Sequence, residues 1–203
     1  MRLAMSHDKT ALILDGSLAG GCVALLALDG HAAGRLKVAV EGAPPRSHLE
    51  RIASLLPGGA SHAELSAIVI GVGPGSYTGI RSASAAAVGV ATALNLPIIS
   101  IPSDRALVAA AADVGGDVVV IPLGTREVLV IRESGSEIVA HGDAPASTDL
   151  ARVAERLPHA FARLAEASLR EAMASASRGE APLRPEIRLR YPSPPRGATG
   201  RGA

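Results

Sequence analysis

The sequence predicts an α/β protein built on a mixed sheet, and three observations carry that prediction. Apolar runs at residues 11–14, 22–27 and 36–40 follow one another with short connections, the spacing of an antiparallel meander. Two later runs, 67–70 and 98–101, are separated by a long Ala-rich segment, as parallel strands joined by a helical crossover would be. Between the first of these runs and the Ala-rich segment lies Gly71-Val72-Gly73-Pro74-Gly75-Ser76-Tyr77-Thr78-Gly79-Ile80-Arg81, a strand-to-helix turn dense in glycine.

Taken in order, Ala11 to Leu14 reads as a strand closed by Asp15-Gly16-Ser17, and Cys22 to Ala27 as a second strand ended by the hairpin signal Asp29-Gly30. Leu36, Val38 and Val40 alternate with Arg35, Lys37 and Ala39, the pattern of a half-exposed third strand. Gly42 to Pro45 breaks the meander. Ser47 to Leu56 is a helix, with Ser47 as cap and Glu50 as its capping-box partner, stopped by Pro57-Gly58-Gly59. Ala67 to Ile70 is apolar throughout, so both its faces are expected to be buried. The second helix spans Thr78 to Leu94, Asn95-Leu96-Pro97 ends it, and Ile98 to Ile101 is the next strand. Ser103 is the expected cap of a third helix reaching Ala112. Asp117 to Ile121, Glu127 to Ile131 and Glu137 to Ala140 read as strands, with turns at Gly124-Thr125 and Ser134-Gly135. Thr148 to Leu157 is helical; Pro158 should interrupt or restart it, and His159 to Ala176 is helical again. Pro and Arg dominate from Gly179 onward, and 197–203 should be disordered. The expected organisation is a first lobe over 1–102, a smaller divergent lobe over 103–180 and a Pro/Arg-rich tail over 181–203.

Composition removes several classes. Apolar residues make up 48% of the chain but aromatics only 1%, so the core is aliphatic. The net charge of +1 gives no whole-chain field drawing it to nucleic acid or membrane. A single cysteine, Cys22, forbids an internal disulfide and reads as a small buried hydrophobe. No run approaches the ~20 apolar residues of a membrane span, and the first residues mix Arg2, His7, Asp8 and Lys9 without the apolar stretch of a signal peptide, so a cytoplasmic protein is expected.

The glycine turn offers backbone N–H groups at a helix start, which is the geometry of an anion site. It lacks the Gly-Lys-Ser/Thr of a P-loop and the spacing and acidic partner of a dinucleotide fingerprint. Arg81 reads as a cover for the turn more than as an anion partner. After the turn, Ile80, Ala87, Val88, Ala91 and Leu94 form one stripe, with Ala83, Ser84, Ala86, Gly89 and Ala93 small around it. Such a helix lets another helix approach closely. Asp15-Gly16-Ser17 is similar to the phosphate turn of actin-like ATPases and sugar kinases, in which an Asp positions the metal and a hydroxyl holds phosphate; Asp15 and Ser17 are thus the weak cofactor candidates, and an ATPase or small-molecule kinase is the alternative function. His48 and His62 have no ligand at metal spacing, and no Gly-x-Ser-x-Gly elbow is present. No metal site and no catalytic residue is assigned.

Gly73-Pro74-Gly75-Ser76-Tyr77-Thr78-Gly79-Ile80-Arg81 resembles the signature of the TsaB/YeaZ family, the accessory subunit of bacterial tRNA threonylcarbamoyladenosine biosynthesis. Ile13-Leu14-Asp15-Gly16-Ser17, Ser47-His48-Leu49-Glu50-Arg51 and Leu96-Pro97-Ile98-Ile99 followed by Pro102-Ser103 resemble its neighbouring segments in order, over roughly 11–112. The resemblance implies an actin/Hsp70-like (ribonuclease H-like) mixed sheet with flanking helices and a reduced second lobe. It implies a non-catalytic scaffold that binds the catalytic paralogue, TsaD, for modification of the adenosine next to the anticodon in tRNAs reading A-starting codons. The two helices of the first lobe would form the contact, through His48, Leu49, Ile52, Leu56, Ile80, Ala83, Ala87, Gly89 and Ala91, with Gly73, Pro74, Gly75, Tyr77, Thr78, Gly79 and Arg81 as the signature turn. A TsaE-type ATPase joins such complexes, so ATP and Mg²⁺ would belong to the assembly and not to this chain. tRNA would be reached through the complex, and a homodimer is the alternative assembly of the isolated chain. The chain departs from the family at Gly16, where Thr is usual, and at Leu123-Gly124-Thr125-Arg126-Glu127-Val128, which lacks the usual Asp and Tyr; its closing segment is Ile187-Arg188-Leu189-Arg190.

Overall fold

The computed structural model describes residues 9–28, 35–38, 47–56, 65–181 and 187–191. The expected turns at Asp29-Gly30 and Gly42 to Pro45, the stop at Pro57-Gly58-Gly59, His62, and disorder over 197–203 lie outside these residues.

The order β-β-β-α-β-α-β is as read from the sequence. Strands β1 (Lys9–Asp15), β2 (Cys22–Leu28), β3 (Arg35–Val38), β4 (Ala67–Gly71) and β5 (Ile98–Ile101) form one sheet in the order β3-β2-β1-β4-β5. The meander is antiparallel, with Ile13 opposite Ala24 and Leu26 opposite Leu36. β4 runs parallel to both β1 and β5, with Val69 beside Ile13 and Ile99. The helices are α1 (His48–Leu55), α2 (Tyr77–Leu94), α3 (Ser103–Ala112) and α4 (Leu150–Ser177).

Period-2 alternation gives each central strand two buried faces. Leu12, Leu14, Ile68, Ile70 and Ile98 pack with Ile52 and Leu55 of α1 and Ala87 and Ala91 of α2. Ala11, Ile13, Val69, Ile99 and Ile101 pack on the opposite side with Leu107 of α3 and Leu157, Phe161 and Leu169 of α4. The sheet is therefore the middle of a three-layer sandwich. Truncating a residue such as Ile68 or Ile70, both fully buried, costs about 2–5 kcal/mol.

β6 (Val119–Pro122), β7 (Glu127–Arg132) and β8 (Gly135–Ala140) make a second, antiparallel sheet. Leu129 and Ile131 join the α3 side of the main core, whereas Val120, Val128 and Val130 form a small cluster of their own. Helix α4, which falls within the 103–180 segment set apart in the sequence reading, packs across the five-stranded sheet and along α3, so residues 150–177 form part of the layer on that side of the sheet.

Pro158 does not interrupt α4, which is one helix from Leu150 to Ser177. Val153, Leu157, Ala160, Phe161, Ala165, Leu169 and Ala172 recur at helical spacing and are all buried. That continuous apolar stripe offsets the one missing N–H donor and the ~3 kcal/mol or more that an interior proline costs. Asp149 caps this helix, accepting from Ala151 N at 2.9 Å. The capping box of α1 forms as expected: Glu50 N donates to Ser47 Oγ at 3.2 Å and Ser47 N to Glu50 Oε2 at 2.7 Å.

Candidate functional site: interlocked turns and the outer face of two helices

β1 ends in Asp15, which is fully buried. Ser17 N donates to its Oδ2 at 2.9 Å, and the Ser17 hydroxyl donates to the same oxygen. Ser103 Oγ donates to Oδ1 at 2.7 Å and accepts from Gly73 N at 2.9 Å, while Ser103 N donates to Gly73 O at 2.9 Å. One carboxylate thus ties together the turn after β1, the signature turn after β4 and the start of α3. Burial pushes the Asp15 carboxyl above its usual range, and the hydroxyl bonds from Ser103 and Ser17 oppose that shift. The expectation that Ser103 caps α3 is corrected here. Pro102 holds the cap position and Ser103 is the first helical residue, its hydroxyl drawn away to Asp15.

The signature glycines explain how these turns fit. A Cβ on Gly16 would lie 2.0 Å from Gly79 O, and one on Gly79 would lie 2.2 Å from Gly16 O. At Gly75 a Cβ would stand 2.5 Å from Ser17 Cα, and Ser76 N donates to Ser17 O at 2.9 Å. Gly73 adopts φ 87°, and its missing side chain leaves room for Arg190 O. The Gly73–Pro74 bond is cis. Ser76 caps α2 through Gly79 N at 3.3 Å. The backbone at the start of α2 therefore fills the turn in which the sequence allowed a phosphate. Asp15 and Ser17, the candidate cofactor residues, are both buried with their polar atoms bonded inside the chain.

The structure divides the expected partner-binding set. Ile52, Leu56, Ile80, Ala83, Ala87 and Ala91 are buried in their own core and set the pitch of the two helices without reaching the surface. Leu49 is 60% exposed, Gly89 is open with nothing near its missing Cβ, and His48 is half-buried. The outer face is completed by Ala53 on α1 and by Thr78, Ser82, Ala85, Val88 and Thr92 on α2, all exposed. His48 joins the helices: its Nδ1 lies 3.2 Å from Ser82 Oγ, and its ring fills the space beside Gly21. Burial lowers the His48 pKa below 6.5, against the raising effect of the Asp15 backbone carbonyl. Arg51, absent from the expected site residues, is buried; its guanidinium donates to the carbonyls of Gly20 and, at 3.3 Å, Gly21, fixing α1 to the turn before β2.

The segment 187–191, matched in sequence only to the family's closing segment within the tail, has a structural role that its sequence does not announce. Arg190 N donates to Val72 O at 2.7 Å, and its guanidinium pairs with Asp104 at 3.0 Å. Ile187 and Leu189 pack on the core beneath α1 and α2. Tyr191 packs against Tyr77 with ring centroids 4.9 Å apart and the rings tilted by 40°, and Arg81 lies over the Tyr77 ring at 5.1 Å and donates to its hydroxyl at 2.5 Å. Arg81 thus covers the turn, as expected. A faint signal existed: these are the only two tyrosines of the chain.

Among the described residues no helix is long and apolar enough to cross a membrane. A sequence model of the family "TsaD: tRNA N6-adenosine threonylcarbamoyltransferase" matches residues 46–179. Curated proteins show no match in sequence. Among solved structures the chain resembles YeaZ from Pseudomonas aeruginosa, with 24% identity and a TM-score of 0.53 over 90% of this chain and 99% of that one. It also matches a structure described as an uncharacterized protein with similarity to peptidase YEAZ from Pseudomonas aeruginosa, with 25% identity and a TM-score of 0.49 over 89% and 100% of the two chains. The chain belongs to the TsaD family of tRNA N6-adenosine threonylcarbamoyltransferases and shares the fold of YeaZ.

Proposed function

We propose that the chain is the non-catalytic scaffold of a tRNA threonylcarbamoylation complex, docking a TsaD-like catalytic subunit on the outer face of α1 and α2. The observation that carries this reading is the open site at Gly89, between exposed Ala85, Val88 and Ala93. Small side chains there let a second helix pack at short range, and the apolar surface they leave in water gains by being covered. The buried, internally bonded Asp15 supports a scaffold over a kinase, because a metal or phosphate would have to break bonds to Ser17 and Ser103. On this reading ATP, Mg²⁺ and a TsaE-like ATPase enter with the assembled complex, and the complex works in the cytoplasm. A homodimer on the same face is the competing assembly.

Reconstitution tests the function. Unmodified tRNA reading A-starting codons is incubated with the TsaD-like subunit, a TsaE-like ATPase and a threonylcarbamoyl donor, with and without this chain. Nucleoside mass spectrometry should find the modified adenosine only when the chain is present. Equal modification without it refutes the scaffold role.

A further inference from the structure

The segment 187–191 brings both tyrosines of the chain to one place. Tyr191 packs at a tilt against Tyr77 and also lines a cleft of about 300 Å³ between the signature turn and the second sheet. Pro74, Leu129 and Ile138 give the cleft apolar walls, and Ser136 and Glu137 on the exposed side of β8 give it hydrogen-bonding groups. Its two acidic neighbours are already paired, Glu137 with Arg132 at 2.7 Å and Asp104 with Arg190 at 3.0 Å. Two arginines stand at its edge: Arg190 lines it, and Arg81 is exposed beside Tyr77.

An aromatic wall, apolar sides, polar groups for a base edge and arginines at the rim for phosphate are the components of single-stranded RNA recognition. We propose that this cleft seats an unstacked base of single-stranded RNA on Tyr191, giving the chain an RNA contact of its own. The proposal rests on the reading that the chain serves a tRNA-modifying complex. It differs from the Asp15 turn, which is filled by the start of α2, and from the outer face of α1 and α2, which is left free for a protein.

The chain has no Trp and only Tyr77 and Tyr191, so its intrinsic emission reports on this site alone. The full chain is titrated with an anticodon stem-loop RNA and, separately, with AMP. The stem-loop should quench tyrosine emission and weaken with added salt, while AMP should quench only at far higher concentration. Binding of end-labelled stem-loop should fall about tenfold in Tyr191→Leu, the size of one lost base–aromatic stack. Ser136→Phe, an exposed position whose new ring would occupy the cleft, should have the same effect with both tyrosines and the fold intact by circular dichroism. No quenching by the stem-loop, unchanged binding in Ser136→Phe, or equal affinity for AMP overturns the proposal, the last in favour of a free nucleotide. Pairing with the TsaD-like subunit is measured on the same preparations. RNA binding that fails while pairing persists removes this inference and leaves the scaffold reading standing.

Discussion

Gly79 and Gly89 lie on the same helix and could hardly differ more in surroundings. A Cβ on Gly79 would collide with the backbone of Gly16 at 2.2 Å, whereas a Cβ on Gly89 would meet nothing within 4 Å. The first glycine permits two turns of one chain to interlock. The second leaves open a stretch of helix beside Val88, itself 42% exposed. Small residues on α2 therefore serve two purposes. On the inner face Ala83, Ala87 and Ala91 let α2 lie close on its own sheet, and on the outer face Ala85, Gly89 and Ala93 are exposed, the space that the proposed partner would fill.

Substitutions should separate these two roles. Gly79→Ala forces backbone against backbone, and we expect a loss of several kcal/mol, about 3 or more, read as a collapse of the thermal or urea transition. Ser103→Ala removes the donor to Asp15 Oδ1 and the acceptor for Gly73 N within a buried network. It should cost about 1–3 kcal/mol in urea unfolding; an unchanged midpoint would mean that the turns are held by packing alone. Gly89→Leu should leave the monomer as stable or more stable by up to about 1 kcal/mol, because leucine favours helix over glycine.

The smallest effect concerns pH. Burial keeps His48 neutral in the folded chain to a lower pH than in the unfolded chain. Its contribution is complete above pH 6.5 and is lost as pH falls below that value, where the unfolded chain takes up the proton first. Comparing urea midpoints between pH 7.5 and 5.5, His48→Gln should show a shallower decline than the native chain. Parallel slopes would show that His48 titrates normally.

Most of the fold was legible because its signals are local. Alternating apolar residues, Ser47 with Glu50, and the glycine turn each specify an element without help from elsewhere. What was not legible depends on contacts distant in sequence. Ser103 looks like a cap until Asp15, 88 residues away, takes its hydroxyl. Pro158 looks like a break until the buried stripe from Val153 to Ala172 holds the helix straight through it. The stripe on α2 was identified, but a one-dimensional pattern does not say which side faces the sheet. Ala87 and Ala91, placed in the partner contact by the family resemblance, are core, and Ala85 went unremarked. Tyr191 stood in a Pro/Arg-rich tail whose composition hid the strap that 187–191 lays across the signature turn.

The claim that the outer face of α2 meets a partner is tested most directly at Gly89. The native chain and Gly89→Trp are each mixed with the TsaD-like subunit and followed by analytical ultracentrifugation. We predict a 1:1 complex for the native chain and none for the variant, at a thermal midpoint no lower than that of the native chain. A complex of undiminished affinity with Gly89→Trp would contradict the account and move the partner to another surface.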